Sequence, residues 1–197
     1  WRRTPRGLGA AICLLGGGTL LAETIKACLP PAVGALGFSR GPAHGFPSGH
    51  ATMALALGLV PLFLAPLRWR PWAAAFGALL SATLNYSLLR ARYHMPFEIL
   101  GAVLLTLCLV FLLLALLPSR PGALSLPALL PGALGMALLL SGIVQAVAVS
   151  TLEPGPLQAA AAYGAGWRLV VGSGLLAPGL VLLGMSGRAQ AVLDSEG

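Results

Sequence analysis

Two histidines sit where loops give way to long apolar runs, and each has neighbours suited to anion chemistry. The first closes the stretch Gly45-Phe46-Pro47-Ser48-Gly49-His50, at the edge of the apolar run from Ala51 to Ala65. Pro47 and Ser48 before a helical run read as a helix start, whose unpaired N–H groups and positive dipole end suit a phosphate. His50 then falls in the first turn, where an imidazole can give a proton to a leaving oxygen near neutral pH. The same residues also read, more plainly, as a Ser cap with an interfacial His.

The second cluster is Arg90-Ala91-Arg92-Tyr93-His94-Met95-Pro96-Phe97-Glu98, again between two apolar runs. Pro96 is placed to open the next helix, with His94 just before it and Glu98 in its first turn. A carboxylate one turn from a His can hold the far ring nitrogen and leave the near one as a nucleophile. Glu98 close to a membrane surface is costly unless paired, which favours His94 as its partner. A ring and a carboxylate that merely share an interface are the alternative, and two such junctions on one membrane side weaken it.

These residues resemble the type 2 phosphatidic-acid phosphatase superfamily, integral-membrane lipid phosphatases related to vanadium haloperoxidases. That family carries Lys, six residues and Arg-Pro; then Pro-Ser-Gly-His; then Ser-Arg, five residues, His, three residues and Asp. The second motif is intact as Pro47 to His50. In the third, Ser87 and His94 are in register, Glu98 takes the Asp position and Leu88 stands where the family has Arg. In the first, Lys26 fits, but Val33-Gly34 replace Arg-Pro.

Loss of both family arginines would remove positive charge from a phosphoryl group whose charge is spread over its equatorial oxygens. Arg92, one turn beyond Leu88 on the same face, is a candidate replacement; Arg90 is a second, although it points elsewhere if the helix continues. Arg40, in the loop before Pro47, could stand in for the first motif's Arg, or snorkel to lipid headgroups. The resemblance then implies roles residue by residue. His94 attacks phosphorus and forms a phosphohistidine, Glu98 orients it, and His50 protonates the departing oxygen. Ser48, the N–H of Gly49, Lys26, Arg92, Arg90 and Arg40 are the phosphate-binding candidates. No metal and no cofactor is expected, because cationic side chains and a helix end supply the field. The expected partner is a lipid phosphate or pyrophosphate held in a bilayer.

Composition sets the class around these motifs. At 57% hydrophobic and 9% charged, with mean hydropathy +0.89, the chain reads as an all-α polytopic membrane bundle. The net charge of +7 comes from basic residues scattered singly between apolar runs, which excludes a nucleic-acid reading and marks topology instead. Cys13, Cys28 and Cys108 show no metal spacing and read as small packing residues.

Six spans are expected in one membrane domain over residues 1–197. A motif-bearing core over about 7–117 holds four of them, near 7–29, 48–66, 71–90 and 96–117. Two additional spans follow near 128–149 and 167–185, with a loop over 150–166. The first run is retained rather than cleaved, since Leu20 is too large for a signal-peptide cleavage site at Ala22. Gly16-Gly17-Gly18 within it suits close helix packing, and Ser81, Thr83, Asn85, Tyr86 and Ser87 are expected to bond between helices or line a cavity. His44 reads as a loop residue. Six spans put Arg2, Arg3, Arg6, Arg68, Arg70, Arg120 and Arg188 on one side, which makes that side cytoplasmic and turns both histidines outward, to the periplasm in a bacterium. The competing functional reading is a catalytically inactive relative that binds lipid phosphates or acts as a membrane assembly partner. The missing arginines favour it; an acid and a nucleophile kept together oppose it.

Overall fold

The computed structural model describes residues 5–28, 45–91, 93–116, 126–150 and 155–195. In lipid a backbone group has no water to turn to, and a helix pairs its N–H and C=O groups within one segment. All the regular structure among the described residues is helical. It comprises α1 (Pro5–Ile12), a π-helical segment (Cys13–Gly17), α2 (Gly18–Cys28), α3 (Gly49–Leu64), a 3-10 turn (Leu67–Trp69), α4 (Arg70–Arg90), α5 (Pro96–Leu116), α6 (Leu126–Ser150) and α7 (Pro156–Ser195).

Five stretches are long and apolar enough to cross a bilayer: Gly7–Cys28, Leu67–Arg90, Pro96–Leu116, Gly132–Val149 and Ala160–Leu183. The second expected span is shorter than its apolar run. α3 has 16 residues, about 24 Å of helix against a hydrocarbon core of about 30 Å. Pro66 is the cause. The residue before a proline is pushed out of the helical region, and Ala65 has ψ 141°.

The loop expected over 150–166 is largely helix instead. Pro156 opens α7, and Ala159 to Ala162 continue it with the strongest helix former. α7 runs to Ser195 and is the best-buried of the long helices, packing against α3, α4, α5 and α6. Ala177, Val181, Leu182 and Met185 meet Leu55, Leu59 and Val110 in the main apolar cluster. α6 lies outside and leans mainly on α7.

Small residues let the backbones approach. A side chain at Gly77 of α4 would strike the carbonyl oxygen of Gly58 in α3, and one at Gly135 of α6 would lie 2.7 Å from that of Gly172 in α7. The glycine triplet contributes less than expected: Gly18 meets Thr52 and Leu109, whereas nothing lies within 4 Å of a side chain at Gly16 or Gly17. Ser81 and Asn85 are fully buried, yet among the described residues the Ser81 hydroxyl and the Asn85 amide have no hydrogen-bond partner, so of the two expected roles neither makes the interhelical bond there.

One end of the bundle collects the motif junctions. A side chain at Gly49 would lie 3.7 Å from Lys26 Nζ near the end of α2. The Tyr163 hydroxyl of α7 reaches the Leu89 carbonyl at 3.5 Å, and a side chain at Gly166 would lie 2.6 Å from Pro96 Cγ. At the other end Gly7 abuts the Phe63 carbonyl, as alternating helices require.

Candidate active site

The start of α3 is built as its sequence dictates. Ser48 is the N-cap in extended conformation, and its side-chain oxygen accepts from the N–H of Ala51 at 3.1 Å. Thr52 Oγ1 donates to the Ser48 carbonyl at 2.9 Å, and Ser48 and Thr52 are both fully buried. Gly49 and His50 form the first turn, and His50 is exposed.

The start of α5 has a reciprocal design. Pro96 is its first residue, and Glu98 in the first turn reaches back so that Oε2 accepts from the N–H of Met95 at 3.0 Å. This is the carboxylate half of a capping box. The same Oε2 meets His94 Nδ1 at 3.0 Å, and the backbone N–H of Gly45 also donates to this carboxylate. Glu98 is 8% exposed, so these partners replace most of its water. A side chain at Gly45 would collide with the Glu98 carboxylate, and one at Gly101 with the ring of Phe46. Phe46 stacks on Phe97 with ring centroids 6.1 Å apart, packing the loop over the base of α5.

The two junctions are joined. Ser48 N–H donates to the Glu98 carbonyl at 3.1 Å, and His94 Nε2 lies 3.4 Å from His50 Nδ1, with ring centroids 5.6 Å apart. An ionised carboxylate can only accept, so it selects the His94 tautomer with the proton on Nδ1, and in that neutral tautomer the lone pair is on Nε2, the nitrogen facing His50. The arrangement offers a nucleophilic nitrogen and a second imidazole that can carry a proton within one contact of it.

Lys26 stands beside the α3 start, paired with Glu23 at 2.5 Å. A side chain at Gly49 would collide with Glu23 Oε1, so glycine is what lets these two groups reach the helix start. Sequence reasoning passed over Glu23 and the N–H of Gly45; the only visible signal was the Glu23/Lys26 spacing of one turn.

Of the three arginine candidates, Arg90 is among the described residues. α4 ends at Arg90, which is exposed, and Ala91 caps it by donating to the Ser87 carbonyl at 2.9 Å. The expected placement of Arg92 on the face of Leu88 falls, with Arg40 and His44, outside the described residues. Leu88 packs with the cluster of Ala51, Leu89 and Ile99, and Ser87 donates back to the Thr83 carbonyl at 2.8 Å.

No curated protein and no solved structure matches the chain. Residues 8–121, more than half of its length and all three motif regions, match the PAP2 superfamily model, and the chain belongs to that family of helical membrane proteins, whose enzymes are phosphatases of lipid phosphates.

Proposed function

We propose that this protein hydrolyses a lipid phosphate or pyrophosphate monoester through a phosphohistidine on His94. The observation that carries this is the line Glu98 Oε2, His94, His50, with contacts of 3.0 Å and 3.4 Å. His94 Nε2 attacks phosphorus and the bond to the leaving oxygen breaks. His50 donates its proton to that oxygen, then accepts one from the water that cleaves the phosphorus–nitrogen bond, releasing phosphate and restoring both rings. Glu98 keeps the His94 proton on Nδ1 and stabilises the positive ring that forms.

The N–H groups at the start of α3 together with Lys26 hold the equatorial oxygens, joined by Arg92 and by Arg90 or Arg40 in place of the family arginines. These cations and the helix end carry the charge that a metal carries elsewhere, so the reaction is metal-independent. The basic side of the chain faces the cytoplasm, so the site opens on the outer face of the membrane, in a bacterium the periplasmic face of the inner membrane. The whole chain acts as one membrane domain, with α7 packed against the motif-bearing helices.

The test is phosphate release by the purified protein from a panel of phosphatidate, phosphatidylglycerol phosphate and isoprenyl pyrophosphate in detergent, with EDTA present. Release blocked by vanadate and abolished in a folded His94→Ala variant supports the reading. Absence of release from every lipid, or release unaffected in His94→Ala, removes it.

A further inference from the structure

The group nearest the α3 start that the proposed reaction does not use is Glu23. Its Oε1 pairs with Lys26 Nζ, and both atoms crowd the position a side chain on Gly49 would take. Gly49 lies between the cap residue Ser48 and His50. A helix N-terminus with a lysine beside it favours an anion, and here a carboxylate of the chain itself sits beside both.

The two partners differ in how they are held. The Lys26 side chain is 20% exposed and that of Glu23 is 55% exposed, so the carboxylate is the less enclosed of the two and the one freer to move aside.

Resting on the function proposed above, we propose that Glu23 is a built-in competitor for the phosphate position: substrate must displace its carboxylate from Lys26 before the phosphoryl group settles at the start of α3. Glu23 touches none of the reacting atoms. It therefore sets affinity for anions rather than the rate of phosphoryl transfer.

Glu23→Gln removes the charge and keeps the shape. In the full-length protein in mixed micelles, the KM for phosphatidic acid and the inhibitory concentration of orthovanadate should each fall about three- to fivefold, the range an exposed ion pair allows, without a matching rise in kcat. Glu23→Ala should shift both in the same direction. Unchanged or raised values in these variants overturn the inference, because the pair is then an ordinary one-turn helix contact.

A second arm needs no turnover: the rise in melting temperature produced by orthovanadate should be larger in Glu23→Gln than in the unaltered protein, and an equal or smaller rise overturns the inference. If vanadate binds more tightly to the variant but no lipid phosphate is cleaved by the unaltered protein, the hydrolase reading fails and the competitor role stands. Loss of the fold in both variants would also overturn it, since a displaceable competitor cannot be what holds the helix.

Discussion

The backbone N–H of Ser48 donates to the backbone carbonyl of Glu98 at 3.1 Å, tying the first residue of one helix start to the first turn of another. Each partner also caps its own helix by side chain, Ser48 toward Ala51 and Glu98 toward Met95. The separation of His50 and His94 is therefore fixed by two caps and one backbone bond, rather than by the rings alone.

Ser48→Ala should expose this dependence. Removing the cap costs about 1 kcal/mol and leaves the buried N–H of Ala51 without its acceptor, so the melting temperature should drop by a few degrees. Turnover should fall more than stability does, because the α3 start is also where phosphate is proposed to bind. A thermal melt alongside a kinetic assay separates the two effects; unchanged kcat in a destabilised variant would mean that the α3 start does not hold phosphate.

Glu98→Gln tests the orientation of His94. The amide preserves shape, but its NH₂ can turn toward Nδ1 and favour the tautomer whose proton is on Nε2, which has no lone pair for phosphorus. A loss of roughly 10²- to 10⁴-fold in kcat is expected, the range for a general acid–base group or its orienting carboxylate. Turnover within a few-fold of the unaltered protein would show that the carboxylate is only a helix cap.

What the sequence made legible here was local. Pro47-Ser48 and Pro96 mark helix starts within a few residues, and His94 and Glu98 share a helix turn, so their contact follows from spacing. The His50 to His94 contact spans 44 positions and depends on the bond between Ser48 and Glu98, which no pattern announces. Glu23 was invisible for a similar reason. Its pairing with Lys26 is local, but its importance comes from Gly49 across an interhelical contact. The beginning of α7 is hidden from hydropathy because Gln158, Tyr163 and several glycines lower it around Ala159 to Ala162, although alanine favours helix whatever its polarity.

Glycine substitutions should divide by what a methyl group would meet. At Gly77 it would strike the backbone oxygen of Gly58, which cannot rotate away, so α3 and α4 must separate; Gly77→Ala should destabilise by about 1–3 kcal/mol. At Gly16 nothing lies within 4 Å, and alanine is the better helix former, so Gly16→Ala should be neutral or mildly stabilising. Melting both variants in the same detergent checks this, and equal destabilisation would refute the close α3/α4 crossing.

The three cysteines give a measure of sidedness. Cys28 ends α2 and is exposed, two residues from Lys26 and so at the end of the bundle that holds both histidines. Cys13 and Cys108 lie inside apolar spans, where lipid keeps a charged thiol reagent away. With the proposed orientation, a membrane-impermeant maleimide should label Cys28 on intact cells, and Cys28→Ser should abolish that labelling while Cys13→Ser and Cys108→Ser leave it. Labelling that appears only after the membrane is permeabilised would place both histidines on the cytoplasmic face, and would restrict substrates to lipid phosphates of the inner leaflet. The charge argument would then have failed at a particular place: the arginines around 68–70 would be facing outward, against the bias that orients most short loops.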